Sequence, residues 1–277
     1  MIILEDVYYK YEPEEIEALR GVSLQIKEGE HLALIGPNGC GKTTLIRHLN
    51  ALLLPARGKV TVGGLQTDNP KYQADIRAQV GMVFQNPDNQ IVGMTVEEDV
   101  AFGPENLRLP TAEIKQRVVE SLDRVGIPEL AGRNVENLSG GEKRLVAIAG
   151  VLAMRPRYIA FDEPTAFLDP AAARRVLNIV DKLHSGGVGI IHITHNMAEA
   201  AFTQRIVVMN EGRVYLDGAP QEIFAQIDML QKIGMQLPQI TGLLIKLREF
   251  GFPVRTDVVS MESAVEQILS IAGKNKE

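Results

Sequence analysis

At 277 residues the chain has room for one large α/β domain with a small appendage, or for two modest domains. Its 45% apolar and 23% charged residues are those of an ordinary globular protein, and a net charge of −6 argues against a nucleic-acid partner, which needs a basic face to displace counterions. The single cysteine, Cys40, excludes an intrachain disulfide and points to a reducing compartment.

Met1–Lys10 carries Glu5 and Asp6 and no long apolar stretch, so no signal peptide is expected there, and no apolar run approaches the ~20 residues of a spanning helix. A membrane role would therefore run through a partner that spans the bilayer. Val7–Tyr11 and Val22–Ile26 read as strands, and His31–Ile35 is a short apolar run of the kind buried on both faces of a parallel sheet. A helix is predicted from about Lys42 to Leu54, with Leu45, Ile46, Leu49 and Leu53 on one face and Pro55 as its stop. Lys59–Val62 reads as another strand. From about Asn86 to Gly150 the character turns helical: Thr95 and Glu98 form a capping box, and Thr111 opens a helix whose stripe of Ile114, Val118, Leu122 and Val125 ends at Gly126. Tyr158–Phe161 and Gly189–Thr194 read as buried strands around a helix with Asp169 as its N-cap and Pro170 at its first position. Arg205–Asn210 and Arg213–Asp217 read as a hairpin turned by Glu211-Gly212, and Ile240–Phe250 and Met261–Ile271 as weak helical stripes.

Gly36-Pro-Asn-Gly-Cys-Gly-Lys-Thr-Thr44 matches G-x-x-x-x-G-K-[ST] in the strand-to-helix setting a phosphate loop needs. Here the glycines, Gly39 and Gly41 among them, let successive N–H groups wind round a phosphate at the positive end of a helix. Lys42 is expected to reach the β- and γ-phosphates and Thr43 to ligate Mg²⁺, while Asn38, Cys40 and Thr44 belong to the same cradle. Cys40 sits where a small residue is needed and is read as a space-filler.

Tyr158-Ile-Ala-Phe-Asp-Glu-Pro164 is an apolar strand ending in two acids. Neighbouring strand residues face opposite sides, so Asp162 is expected to hold Mg²⁺ through water and Glu163 to polarise the attacking water as general base. His195 follows a later strand, at the edge where open α/β sheets bind ligands, and is expected to contact the γ-phosphate and water. His31, His48, His184 and His192 have no such placement and receive no role. Leu138-Ser-Gly-Gly-Glu142 precedes a helical stretch, Lys143–Met154. A serine and two glycines can simply start a helix. Beside a phosphate loop, Ser139, Gly140 and Gly141 make a second anion cradle, which suggests a nucleotide shared between two subunits.

Together these residues resemble the ABC ATPase family over about residues 1–220. That resemblance adds Gln85 as the Q-loop residue beside the metal and the attacking water, Ala166–Asp169 as the D-loop, and Tyr11 where the family stacks an aromatic ring on adenine. It implies an α/β fold of the P-loop NTPase class: an ABC-type nucleotide-binding domain with an antiparallel β subdomain, a helical signature subdomain at about 86–150 and a small C-terminal helical extension at 221–277 that makes a dimer contact. It also implies ATP and Mg²⁺, and head-to-tail dimers that close ATP between one subunit's phosphate loop and the other's signature, so that Ser139, Gly140, Gly141 and Asp169 serve the partner's nucleotide. Glu142 in place of the commoner Gln, and Cys40 in place of Ala or Ser, are small departures.

Phe84–Leu107 is more narrowly similar to the ATPase subunits of energy-coupling-factor (ECF) importers for vitamins and transition metals. This likeness implies a second ATPase subunit (the same chain or a paralogue), a transmembrane T component, a substrate-binding membrane S component and a peripheral place on the cytoplasmic face of the cell membrane. The segment would line the groove that receives the T component, with Asp88, Glu97, Glu98 or Asp99 meeting an arginine there. The tail beyond about 220, with Gly234–Pro238, resembles the extension that helps hold the two ATPases together. The competing readings are another ABC importer class and a soluble ABC ATPase acting on ribosomes or DNA. Against the second stand the single cassette, the short helices and the lack of basic surface.

Overall fold

The computed structural model describes residues 1–13, 16–235, 239–255, 258 and 261–274. Its N-terminal layer is a four-stranded antiparallel sheet of β1 (Ile2–Lys10), β2 (Glu17–Ile26), β4 (Arg57–Val62) and β5 (Leu65–Gln66), in the order β2-β1-β4-β5. Ile2 pairs with Ile26 on one side and Val62 on the other, and Leu4 with Leu24 and Val60, so one wall of aliphatic side chains faces inward.

The second sheet has six strands in the order β10-β9-β3-β8-β7-β6. In it β3 (His31–Ile35), β6 (Val80–Val83), β7 (Tyr158–Asp162), β8 (Gly189–Ile193) and β9 (Arg205–Asn210) run parallel. All residues of β3, β7 and β8 are buried, which is why these strands read as unbroken apolar runs. The antiparallel β10 (Arg213–Gly218) closes one edge through the expected hairpin, with Glu211 and Gly212 both at positive φ. Adjacency of β3, β8 and β7 brings their C-terminal ends to one edge of the sheet, and the site lies there.

Helix α1 (Lys42–Leu49) is shorter than its apolar period predicts. Leu45, Ile46 and Leu49 are buried as expected, but Ala51 turns left-handed at φ 56° and Leu52 and Leu54 lie exposed. The stop is Asn50, whose amide donates to Met82 Sδ on β6 and whose carbonyl oxygen accepts Leu52 N–H. Helix α2 (Gln73–Gln79) then leads into β6.

A helical layer follows from α3 (Val96–Asn106), α4 (Thr111–Val125) and α5 (Gly140–Ala153), whose Val100, Leu122, Val146 and Ile148 share a core with Phe161 of β7. Both expected helix starts are present, Thr95 and Glu98 making their capping box and α4 opening at Thr111, and α4 ends at Gly126 with φ 71°. After α6 (Pro170–Ser185), α7 (Met197–Ala201) and the hairpin come α8 (Pro220–Phe224) and α9 (Ile227–Lys232). Phe224, Leu230 and Met235 bury against Ala33 and Ile206, so this start of the extension shares a core with the central sheet. Helices α10 (Gln239–Glu249) and α11 (Met261–Lys274) gather a separate small cluster around Leu244, Val254 and Ala264. Residues 236–238 of the Gly234–Pro238 stretch lie outside the described residues.

Candidate active site

The phosphate loop leaves β3 and winds into α1 through Gly36, Gly39 and Gly41, all at positive φ. A Cβ on Gly36 would lie 2.2 Å from Met209 O, and one on Gly41 2.4 Å from Ala18 O, so two of these glycines are imposed by close backbone approach as well as by φ. Lys42 is buried and donates to Gly36 O at 2.8 Å and Pro37 O at 2.9 Å, its ammonium folded back across its own loop. Cys40 is buried there, and desolvation pushes its thiol pKa up despite the nearby Lys42, as a space-filling thiol requires. Tyr11 is half-buried beside the loop's end, its hydroxyl 3.2 Å from Thr44 Oγ1 and its ring edge-on to Tyr9.

Thr43 Oγ1 donates to Asp162 Oδ1 at 3.2 Å. Burial raises the Asp162 pKa, with the neighbouring Glu163 adding to the rise; Thr43, Arg47 and Lys42 offset part of it. A desolvated carboxylate beside a hydroxyl is an all-oxygen donor pair that fits Mg²⁺, an ion that keeps several waters and takes its other ligands from substrate phosphates.

Asp162 and Glu163 do not diverge by strand alternation, as their sequence suggests. Asp162 closes β7, while Glu163 lies past it at φ 48°, held by its N–H to Ile193 O and by Ala166 N–H to its carbonyl. Positive φ at a non-glycine residue costs about 1–3 kcal/mol and persists only where the surroundings fix it. The turned carboxylate accepts Gln85 Nε2 at 3.0 Å on one oxygen and lies 2.8 Å from His195 Nε2 on the other. Gln85 thus turns its amide nitrogen on Glu163, leaving its oxygen as the atom available to a cation. Its backbone is fixed by Arg144, a buried guanidinium on α5 that donates to the carbonyls of both Phe84 and Gln85.

Ser139 caps α5 and Gly140 and Gly141 form its first turn, so the second cradle opens a helix. Glu142 Oε2 accepts both the Ser139 N–H at 2.8 Å and its hydroxyl at 2.7 Å. Those two bonds hold the Glu142 carboxyl below the usual range, with Arg133 and Arg175 adding to the effect. Asp169 caps α6 through the N–H groups of Ala171 and Ala172 at 2.8 and 3.0 Å, bonds that lower its own pKa.

The acids assigned to a partner arginine are mostly committed within the chain. Asp88 pairs with Lys143 at 2.6 Å, Glu98 belongs to the Thr95 capping box, and buried Asp99 accepts Val92 and Gly93 N–H at 2.7 and 3.0 Å. Among the described residues exposed Glu97 has no such bond. What the same segment does build is an apolar groove of about 550 Å³, lined by Leu52, Met82, Phe84, Val92, Phe102 and Met154 among others. Val92 and Phe102 are 61% and 51% exposed on its wall, where they adjoin other apolar side chains rather than standing singly. The sequence points to a groove along Phe84–Leu107 but not to its apolar lining, which also draws on residues 50–82 and 147–154.

The histidines left without a role are internal. His48 bonds Thr44 O, while His31 stacks on His192 and packs near His184; burial, with those two neighbours, pushes His31 down to about 3.

A family profile described as ABC transporter matches residues 19–166, a span that holds the phosphate loop, Gln85, the Ser139 cradle and both acids. The chain belongs to the ABC transporter family. This ABC ATPase binds and hydrolyses ATP. It is 53% identical to the cobalt import ATP-binding protein CbiO of Syntrophus aciditrophicus (strain SB), over 97% of this chain and 96% of the relative. It is 48% identical to the energy-coupling factor transporter ATP-binding protein EcfA1 of Symbiobacterium thermophilum, over 98% and 97%. Among solved structures it is similar to cbiO1 from Clostridium perfringens, described as part of the ABC transporter complex cbiONQ. The TM-score is 0.75 at 38% identity, covering 88% of this chain and 98% of that one. Its relatives are thus ATP-binding subunits of cobalt and ECF transporters, the group that Phe84–Leu107 resembles. Among the described residues no helix is long and apolar enough to cross a membrane.

Proposed function

We propose that this ABC ATPase is the peripheral subunit that energises an ECF-type importer of a vitamin or transition metal, working as a dimer of ATPases at the cytoplasmic face of the cell membrane. The observation that carries the reading is the cradle at Ser139–Gly141. A Cβ on Gly140 would meet nothing within 4 Å, and its φ is not among the positive ones, so nothing among the described residues calls for glycine there. Glycine at that place costs the helix up to about 1 kcal/mol. A ligand approaching from outside, the γ-phosphate held by a second subunit, accounts for that cost.

Within one half-site the chain's residues divide the work. Lys42 exchanges the Gly36 and Pro37 carbonyls for the β- and γ-phosphates, and Asn38, Gly39, Cys40, Gly41 and Thr44 line the cradle with their backbone. Thr43, Asp162 and Gln85 would hold Mg²⁺, which would supply neutralisation of the phosphate charge. Glu163 takes the proton of the attacking water, and His195 and Gln85 fix its carboxylate where that water must stand. Ser139, Gly140 and Gly141 of a second subunit close the far side, Asp169 stands at the same junction, and Tyr11 borders the adenine. The apolar groove receives the T component, whose motion on closure of the dimer reaches the S component. Burial of Val92 and Phe102, rather than the acids, supplies that contact.

Purification of the chain from detergent-solubilised membranes tests this reading. Co-elution with a T component and an S component, and ATP-driven uptake after reconstitution, are expected. A chain that hydrolyses ATP alone and brings down no membrane protein would contradict it.

A further inference from the structure

Beneath the pair of Glu163 and His195 lies a second, buried carboxylate. Glu199 on α7 is 8% exposed. One of its oxygens accepts Thr194 Oγ1 at 2.6 Å and lies 3.3 Å from His192 Nε2; the other accepts Thr165 Oγ1 at 2.9 Å and Asn196 Nδ2 at 3.3 Å. Desolvation opposes its charge, but the bonds from His192, Thr194 and Thr165 outweigh it and hold the carboxyl below its usual range. Thr194 and Asn196 flank His195. Thr165 is two residues past Glu163, and its carbonyl accepts Leu168 N–H in the turn that carries Phe167 at φ 62° and leads to Asp169. Glu199 therefore bonds to both strand-end segments that supply the catalytic pair, and its bonds among the described residues go to neither member of that pair.

We propose that Glu199 is a positioning residue for hydrolysis: by joining Thr165 to Thr194 it sets the separation of Glu163 and His195. Stability alone would be served as well by apolar side chains of similar volume, since a buried charge is costly and gains little net free energy from its partners. A carboxylate that accepts three hydrogen bonds fixes two segments at defined distances, which apolar contact does not. The inference rests on the reading of Glu163 as general base and His195 as its partner.

Thr165→Val in the full-length chain cuts the link on one side while keeping the side chain's shape, and Thr165→Ser restores the hydroxyl. Phosphate release, binding of a fluorescent ATP analogue and Tm are measured for both and for Glu199→Gln. Thr165→Val is expected to lose about ten- to a hundredfold in kcat with unchanged nucleotide affinity and Tm, and Thr165→Ser to recover most of the rate. Wild-type kcat in Thr165→Val overturns the inference, as does a loss that follows Tm and that serine does not rescue. Glu163→Gln run in parallel separates the two ideas. If it hydrolyses ATP normally the base assignment fails; if it is inactive while Thr165→Val is normal, only the role of Glu199 fails.

Discussion

His195 Nε2 stands 2.8 Å from Glu163 Oε1, while the other oxygen of that carboxylate takes Gln85 Nε2 at 3.0 Å. Three segments that follow adjacent parallel strands thus converge on one group. Removing the imidazole in His195→Ala frees one oxygen without touching the phosphate loop. The expected result is a fall of about a hundredfold or more in kcat with nucleotide affinity retained, read by steady-state phosphate release and nucleotide titration.

The glycines of the two cradles should respond in opposite ways to the same change. Gly36→Ala would place a methyl group 2.2 Å from Met209 O at φ 146°, and should destabilise the fold by about 2–5 kcal/mol. Gly140→Ala meets nothing within 4 Å and should raise helix stability by up to about 1 kcal/mol. Its ATP-dependent dimer and its hydrolysis should nevertheless be lost. Thermal melting beside sizing with ATP distinguishes the two.

The strands that carry the site were legible because their physics is local. His31–Ile35 and Gly189–Ile193 are buried on both faces, so composition alone marks them. What failed depended on partners distant in the chain. Helix α1 stops at a contact between Asn50 and Met82, while its apolar period runs on to Leu53. Asp99 looked like a surface acid until the loop at Val92 and Gly93 closed on it. Arg144 and Glu199 are charges buried on largely apolar helices; the partners of Arg144 lie 59 and 60 residues away, and Thr165 lies 34 residues from Glu199. No periodicity reports such pairs.

Glu142 holds the Ser139 hydroxyl as an acceptor, in a cradle that must offer donors to a phosphate. Glu142→Gln keeps an acceptor for the cap and removes a negative charge facing the anion, so the ATP-bound dimer should tighten about two- to fivefold. The sign with pH follows from the depressed carboxyl. Its capping stability is full above the ordinary glutamate pKa, where Arg133 and Arg175 also face it, and is lost as pH falls through the lower folded-state pKa. Glutamine should flatten the acid limb of the melting profile.

Phe102 is 51% exposed on the groove wall, and that lining includes none of the residues assigned to hydrolysis. Phe102→Asp should leave phosphate release by the purified chain unchanged. Recovery of membrane proteins with the chain should fall at least tenfold, a loss of about 1.4 kcal/mol or more. Quantified co-purification with and without the substitution measures it.

The central claim is that Glu163 is the base in a nucleotide site completed by a second subunit. Glu163→Gln, analysed by sedimentation and phosphate release in the presence of ATP and Mg²⁺, tests it most directly. A stable ATP-bound dimer with no turnover is expected; turnover at the wild-type rate, or a protein that binds ATP and stays monomeric, would contradict it.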